Sequence, residues 1–305
     1  MTKFGVGQPV RRFEDVRLLT GRGRFQDDRL VPGAAHAVFV RSPHAHARIR
    51  GIDTTPAKAA PGVIAVYTGA DYAGDGIATP KAGMPRRKRD GSPMFAPPRP
   101  ALVTDRVRMV GDLVAMVVAE TLPQARDAAE LVAVDYEALP SATSVDHAAQ
   151  PDAPRVWDEN PDNISHTVER GDRAATDAAF AAAAHVVTRR YVITRVHAQY
   201  MEPRGSIGTW DPGEERFTLY ADVNYPHRVR NMLAAMVFKM PESKVRVLVE
   251  DVGGGFGTKG WQYLDHRLTH PRPQAAHAGE HRCLHRLRPA AADAVRPDRH
   301  GDRRL

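Results

Sequence analysis

The strongest constraint on the fold is a strand pattern that runs straight into a glycine loop, in the sequence VRVLVEDVGGGFGTKG between Val245 and Gly260. Valine at positions 245, 247 and 249 favours a half-buried strand, because side chains two residues apart share a face. The glycines at 253 to 255 accept positive φ and let backbone N–H groups approach a ligand, so the loop can cradle a phosphate or a pterin ring. The segment therefore predicts a cofactor platform at a strand exit.

The same loop allows a second interpretation, because Gly255, Gly257 and Gly260 fit the G-x-G-x-x-G pattern of a dinucleotide-binding turn. That turn needs a helix that opens at once and an acidic residue about 20 positions further on. Residues 261–268 are only weakly helical, and Glu280 stands in an Arg- and His-rich stretch. A nucleotide-dependent dehydrogenase is therefore disfavoured, although it stays open as an alternative beside a purely structural turn. A P-loop is excluded because no Gly-Lys-Ser or Gly-Lys-Thr follows at the required spacing.

Further motifs resemble, in family order, the large subunit of the molybdenum hydroxylases, the family of xanthine dehydrogenase, aldehyde oxidase and aerobic carbon monoxide dehydrogenase. The resemblance covers about residues 5 to 269, and its N-terminal part is most similar to the carbon monoxide dehydrogenase-like branch. Besides the glycine loop, the motifs are GVGQPVRRFEDVRLLTGRGRFQDD (Gly5–Asp28), FVRSPHAHARI (Phe39–Ile49), VRMVGDLVAMVVAETLPQARDAAELVAVDYEALP (Val107–Pro140), MEPRG (Met201–Gly205) and NYPH (Asn224–His227).

The resemblance implies an α+β chain in which an a/b hammerhead domain precedes the first part of a molybdopterin-binding domain. We expect an N-terminal segment at 1–18, the hammerhead at 19–140, a polar, proline-containing linker at 141–165 and a partial cofactor-binding domain at 166–269. The residue patterns agree with this class, because strand and helix signals mix along the chain. They predict helices that start at Asp53 or Thr54, at Thr121, at Asp172 or Thr176 and at Pro226, and strands at 185–194 and 216–223.

The resemblance also assigns a candidate cofactor site. In the family, the loop that corresponds to Gly254–Gly257 holds the molybdenum–pterin centre, and Phe256 matches the phenylalanine beside the metal. Asn224 stands where relatives usually have a glutamine whose amide lies near a metal oxo ligand, and asparagine is one methylene shorter. Core packing of Phe256 and a turn-forming role for Asn224 are the structural alternatives. The expected cofactor-binding residues are Asn224, Gly254, Gly255, Phe256 and Gly257.

Two further positions bear on the chemistry. Gly260 follows the loop lysine, at a position where purine-oxidising relatives carry an acidic residue that binds substrate, so the resemblance disfavours purine oxidation. Glu202 and Arg204, in the MEPRG motif, have the chemistry of an acid–base pair. We expect these two side chains to form a structural ion pair rather than a catalytic one.

By resemblance, the chain is a large-subunit portion of a molybdopterin-dependent oxidoreductase, which hydroxylates its substrate with water-derived oxygen. The family passes the electrons to an FAD-binding medium subunit and a 2Fe–2S small subunit, and these are the expected partners. The family's catalytic glutamate and a second loop over the metal correspond to sequence beyond residue 269. No catalytic residue is therefore assigned, and the chain alone is expected to be inactive. A non-enzymatic module for subunit interaction is the first alternative.

The sequence changes character from about residue 270, where aromatic residues and lysine are absent and alanine, arginine, histidine and proline dominate. A segment this poor in large apolar side chains cannot bury enough surface to become ordered. We therefore expect residues 270–305 to be a disordered, out-of-frame tail that begins at a frameshift near Thr269. A zinc site formed by Cys283 and neighbouring histidines is disfavoured, because their spacing does not match that of known zinc sites.

The formal net charge of +7 does not indicate a nucleic-acid partner, because no RNA- or DNA-binding motif accompanies it. The basic run Arg86–Arg89 is flanked by proline and glycine and is interpreted as a solvated loop. No apolar stretch is long enough to span a membrane, and the N-terminus lacks the apolar core of a signal peptide. The sequence therefore predicts a cytoplasmic protein without a membrane span.

Overall fold

A computed structural model describes residues 7, 9–74, 79, 85–193, 196–260, 263–268 and 284–285. Within these ranges, strands and helices mix along the chain, which confirms the predicted α+β class. The strands are β1 (Ala35–Arg41), β2 (Ala47–Asp53), β3 (Val63–Thr68), β4 (Arg106–Val107), β5 (Leu113–Ala119), β6 (Ala133–Ala138), β7 (Ser206–Asp211), β8 (Arg216–Ala221), β9 (Val245–Leu248) and β10 (Leu284–His285). The helices are α1 (Asp15–Leu19), α2 (Thr55–Ala59), α3 (Gly69–Gly74), α4 (Leu122–Glu130), α5 (Val145–Ala148), α6 (Arg173–Ala182), α7 (Pro226–Met232) and α8 (Leu264–Leu268). Among the described residues, none of these helices is long and apolar enough to cross a membrane.

The strands form a seven-stranded sheet of order β3-β5-β1-β10-β7-β8-β9 and a three-stranded sheet of order β4-β2-β6. Strand β10 connects the two halves of the large sheet, because it pairs in parallel with β1 and antiparallel with β7. Since β10 lies within the tail predicted to be disordered, that prediction is wrong for Leu284 and His285. The rest of residues 270–305, with the predicted frameshift, lies outside the described residues.

Strand β5, with the sequence LVAMVVA, is the centre of the first core and is buried along its whole length. Ala115 and Val117 pack into a cluster with helices α2 and α4 on one face of the sheet. Met116 and Val118 pack into a second cluster on the other face. Burial on both faces explains why the strand is continuously apolar instead of alternating apolar and polar residues.

Three helices with a side chain that accepts an N–H of the first turn begin where the sequence predicts. Thr121 and Asp172 each accept a backbone N–H of the first turn, of α4 and α6 respectively. Helix α2 follows directly after Asp53 and Thr54, and the Asp53 carboxylate accepts the first N–H of this helix. These side chains are preferred at the positions because the first N–H groups of a helix have no carbonyl partner within it.

The second half of the chain forms a hairpin of β7 and β8, followed by a parallel β8–α7–β9 unit. The predicted strand 216–223 is confirmed as β8, and α7 begins at the predicted Pro226, although its backbone changes to a π-helical turn at Leu233–Phe238. Apolar residues of α7 and of this turn pack on the sheet, so the helix covers one face of β8 and β9. In a parallel pair, the carboxyl ends of both strands lie at the same edge, and the loops that follow β8 and β9 therefore emerge side by side.

The strand predicted at 185–194 is a wrong prediction for the described residues 185–193, which form neither strand nor helix. The β-branched residues of this stretch favour a strand, but a strand also needs a neighbour that takes up its backbone hydrogen bonds. None of the described strands pairs with it, and all of its described residues are exposed. Strand propensity alone is therefore not sufficient to form a strand in this stretch.

Candidate functional site

The glycine loop follows β9 with a backbone conformation that glycine adopts readily and other residues rarely do. Gly254 and Gly257 have φ angles of 91° and 89°, and Phe256 between them has a φ of 45°. A non-glycine residue in this region costs about 1–3 kcal/mol and persists only where the surroundings hold it there. The Phe256 side chain is 77% exposed, which excludes the alternative of ordinary core packing. The loop thus holds an aromatic ring out of the fold on a strained backbone.

Two of the glycines are needed for close packing against other parts of the site. A Cβ atom at Gly253 would lie 2.5 Å from Cβ of Glu202, which is far inside van der Waals contact. A Cβ atom at Gly255 would lie 3.0 Å from Oδ1 of Asn224. The loop therefore has no room for side chains here, and its backbone lies directly against the MEPRG and NYPH motifs.

Asn224 lies in the loop after β8, on the neighbouring strand exit. Its backbone N–H donates a hydrogen bond of 2.9 Å to the carbonyl of Lys259, and its side-chain amide lies beside Gly255. Asn224 is exposed, like Phe256, so both side chains are accessible at the same edge of the sheet. The structure thus brings all five predicted cofactor-binding residues into one cluster of two loops.

Beneath this cluster lies a buried group of three charged side chains, Lys259, Glu202 and Asp222, which we call the ion triad. The Lys259 ammonium is fully buried and lies 2.8 Å from Oε2 of Glu202 and 2.5 Å from Oδ2 of Asp222. Glu202 also accepts the N–H of Gly253 at 2.6 Å and the N–H of Gln26 at 3.0 Å. One carboxylate therefore binds the beginning of the glycine loop, its end and the N-terminal segment.

Asp222 completes the triad from the end of β8, where its Oδ1 accepts the N–H of Gly205 at 3.1 Å. Burial raises the pKa of Asp222 to about 6, against the opposing effect of the hydrogen bond from Lys259. This direction is expected physically, because two buried carboxylates share one ammonium group and the charged form of the second carboxylate is poorly compensated.

The expected ion pair between Glu202 and Arg204 is not the pair that the structure forms. Glu202 pairs with Lys259, while the Arg204 guanidinium stacks over the ring of Tyr263, with its Cζ atom 3.7 Å from the ring centroid. Lys259 takes the carboxylate because a buried ammonium without a counter-charge would be far more costly than an arginine on an aromatic ring. Sequence reasoning missed the triad, since its three members lie far apart in the sequence.

The N-terminal segment braces the start of the glycine loop from outside. The Asp251 carboxylate accepts two hydrogen bonds from the Arg17 guanidinium, at 2.5 and 2.7 Å, and one from the backbone N–H of Arg24 at 2.7 Å. Arg29 pairs at 2.5 Å with Glu250. Because these acidic residues directly precede the loop, the segment from 17 to 29 fixes the point at which the loop leaves the sheet.

The Arg17–Asp251 pair gives a prediction about pH. The hydrogen bond from Arg17 lowers the pKa of Asp251 to about 2, from 3.8 in an unfolded chain, so the pair stabilises the fold above about pH 4 and this contribution is lost as the pH falls towards 2. Since Arg17 is partly exposed, we expect Asp251→Asn to lower the free energy of unfolding by only about 1 kcal/mol at pH 7. Urea unfolding should show this difference shrinking between pH 4 and pH 3. The exposed Asp177→Asn serves as control, and a difference that is independent of pH would contradict the assignment.

The structure gives a further argument against a dinucleotide-binding turn at the glycine loop. Its fingerprint requires a helix that opens directly from the glycine loop, so that the first N–H groups of the helix face the phosphates. Residues 256–260 form a turn instead, and α8 begins only at Leu264 and is five residues long. The described part of the loop therefore offers no helix N-terminus to a pyrophosphate.

Comparison with known families shows which family the chain belongs to. Residues 20–140 match the family described as aldehyde oxidase and xanthine dehydrogenase, a/b hammerhead domain, and residues 156–269 match the molybdopterin cofactor-binding domain. The chain belongs to the molybdenum hydroxylase family. The predicted succession of a hammerhead and a molybdopterin-binding domain is thereby confirmed. The second match ends at residue 269, next to the point at which the amino-acid composition of this molybdenum hydroxylase chain changes.

Individual relatives show how much of a large subunit the chain represents. It is 38% identical over 268 residues to the nicotine 6-hydroxylase large subunit of Paenarthrobacter nicotinovorans, which covers 88% of this chain and 32% of that protein. It is 35% identical over 271 residues to the carbon monoxide dehydrogenase large chain of Afipia carboxidovorans, with coverages of 85% and 32%. Among solved structures, quinoline 2-oxidoreductase from Pseudomonas putida 86 superposes with a TM-score of 0.78 at 35% identity, covering 92% of this chain and 34% of that one. The chain thus spans about a third of the length of these relatives.

Proposed function

We propose that this chain forms one wall of a molybdenum–molybdopterin site in a large subunit of a hydroxylating oxidoreductase. The observation that carries the proposal is Phe256, an exposed aromatic residue held at positive φ. Its loop packs against the MEPRG and NYPH motifs. Strain and exposure together are costly for the isolated fold and are typical of positions that contact a ligand. The wall consists of the loop Gly254–Gly257 and of Asn224.

The chemistry of these residues fits the proposed ligand. A Cβ atom at Gly257 would meet nothing within 4 Å, so a flat polar ring system can approach the backbone there, and Phe256 offers an aromatic surface beside it. The exposed Asn224 amide can both donate and accept a hydrogen bond at the same edge. When bound, the molybdenum cofactor supplies the transfer of water-derived oxygen and takes up the electrons.

The acidic residues next to the wall are structural in this proposal. A general base must reach the proton that it removes and must be free to accept it. Glu202 is buried and already binds Lys259 and two backbone N–H groups, and Asp222 lies 2.5 Å from the same ammonium. We therefore expect no turnover from the chain alone, and we assign the electron acceptors of the complete enzyme to an FAD-binding medium subunit and a 2Fe–2S small subunit.

The position after the loop lysine narrows the substrate class. Gly260 is buried, and a Cβ atom there would already lie 3.7 Å from the ring of Tyr225. The residue provides no carboxylate for a purine, so we propose a substrate other than a purine.

We predict that the purified chain binds isolated molybdenum–molybdopterin weakly, with amide chemical-shift changes confined to residues 253–259 and Asn224. Phe256→Ala should weaken this binding about tenfold, because the cofactor loses its contact with the Phe256 ring, which contributes about 1–1.5 kcal/mol. The matched control is Phe180→Ala, which removes another exposed aromatic ring, 61% accessible, on α6. The measurement is an anaerobic titration followed by nuclear magnetic resonance.

The same sample separates the proposal from its alternatives. Dye reduction with aldehyde, purine and carbon monoxide should stay at background, and turnover with stoichiometric molybdenum would contradict the expected lack of activity. Titration with NADH should leave the loop amides unchanged, and saturable shifts there would favour a nucleotide-dependent dehydrogenase. No shift with the molybdenum cofactor at any loop amide would favour the non-enzymatic interaction module.

A further inference from the structure

The longest exposed part of the described chain carries apolar side chains that the fold does not use. Every residue from 168 to 193, which includes helix α6, is exposed. Within it, residues 185–193, which we call the exposed segment, contain Val187 at 77%, Tyr191 at 84% and Ile193 at 92% accessibility. Single exposed apolar residues are common, but a contiguous set of this kind on a soluble domain marks an interaction site.

The chemistry of the exposed segment is that of a strand with an apolar face. At the two-residue period of a strand, Val187, Tyr191 and Ile193 share a face with Arg189, and Val186, Thr188 and Val192 share the opposite face with Arg190. Valine, isoleucine, threonine and tyrosine are the residues that favour strands most. The described contacts fasten the segment at one point, the ion pair of Arg190 with Asp146. The segment is therefore suited to take up a strand from another polypeptide through backbone hydrogen bonds.

The charges of the segment distinguish between a second copy and a different partner. Arg189 and Arg190 stand at its centre, in a chain of net charge +7. In a symmetric antiparallel pair, arginines near the two-fold axis would lie opposite one another, and like charges at cross-strand positions are destabilising. A partner strand that offers apolar and acidic side chains is favoured over another copy.

The family comparison indicates which polypeptide carries that strand. The exposed segment lies inside the stretch 156–269 that matches the molybdopterin cofactor-binding domain, so in relatives it belongs to the body of the large subunit. About two thirds of the length of each of these relatives lies outside the part that this chain matches. A covering strand from that remainder accounts for both the apolar composition and the exposure.

We propose that residues 185–193 bind, by strand addition and in trans, a strand from the two thirds of a large subunit that this chain does not match. The proposal rests on the proposed function only in taking the partner from that family, because strand addition needs no cofactor. Binding should order the segment and shield the peptide bonds after Arg189 and Arg190.

The experiment uses the full 305-residue chain and, as probe, a polypeptide with the unmatched two thirds of the nicotine 6-hydroxylase large subunit, both without cofactor. We expect a 1:1 complex in analytical ultracentrifugation, slower amide exchange in 185–193 and protection from trypsin after Arg189 and Arg190. Val192→Pro should weaken the complex about tenfold or more, because proline removes an N–H and cannot continue a ladder. The matched control is Val168→Pro, at an exposed valine of irregular backbone, which should leave the affinity within about twofold of the unchanged chain.

The matching third of the nicotine 6-hydroxylase large subunit itself serves as positive control for the probe. The proposal is overturned if that third binds the probe and the 305-residue chain does not, or if the complex forms without slower exchange in 185–193. It is also overturned if the chain forms a homodimer that Val192→Pro abolishes. Loss of cofactor binding in a complex that still forms would count against the proposed function alone, so the two failures are distinguishable.

Discussion

Replacing Lys259 by methionine should lower the free energy of unfolding by about 3–5 kcal/mol, the typical cost of removing one partner from a buried ion pair. Lys259 is fully buried, and its ammonium is the cation within 2.8 Å of Glu202 and 2.5 Å of Asp222. Methionine fills a similar volume but leaves two carboxylates without a counter-charge in the core. Because Glu202 also holds Gly253, we expect the glycine loop to lose its fixed position as well.

Denaturant unfolding at pH 7 measures this effect, and amide exchange of the glycine loop follows its local consequence. Lys58→Met is the matched control, since Lys58 is exposed on α2 and should tolerate the change within about 0.5 kcal/mol. A combined variant that also carries Glu202→Gln and Asp222→Asn should be less destabilised than Lys259→Met alone, because it leaves no unpaired charge. Equal losses in the two variants would show that packing, rather than charge, dominates the cost.

The second large effect is expected for Asp222→Asn, which should raise the free energy of unfolding instead of lowering it. Burial raises the pKa of Asp222 to about 6 in the folded chain, against 3.8 when unfolded, so the folded state binds this proton more tightly. The ionised carboxylate therefore costs stability above pH 6, and the cost disappears as the pH falls from 6 to about 4. We expect Asp222→Asn to raise the free energy of unfolding at pH 7 by about 1–3 kcal/mol, with no gain near pH 4.

The measurement compares urea unfolding of the unchanged chain and of Asp222→Asn between pH 4 and pH 7. The amide keeps an oxygen that can accept the N–H of Gly205, and it leaves Lys259 paired with Glu202. The pH window differs from that of Asp251, whose contribution is lost between about pH 4 and pH 2. A variant that is less stable than the unchanged chain at pH 7 would show that the second carboxylate is needed by Lys259 in its ionised form.

Much of the fold follows from local sequence. The strand β8, the Thr121 cap of α4 and the Asp172 cap of α6 are predicted correctly because each depends on neighbours within a few residues. The stretch 185–193 shows the limit of such signals. Its strand propensity is strong, but the strand needs a partner that the described chain does not contain, so the prediction is wrong there.

For the site, the sequence by itself determined the positions with special backbone requirements and, through the resemblance, the family. A loop of unusual conformation is predicted by the glycines at 253 to 255 and 257 and by Phe256. The motif around Asn224 predicts the neighbouring loop of the site. The tertiary structure alone decided that Lys259 lies buried between Glu202 and Asp222 and that Asp251 is held by Arg17. These pairs join residues that are tens to hundreds of positions apart. No local pattern encodes such contacts, because they form only when packed strands bring distant charges together and burial makes pairing obligatory.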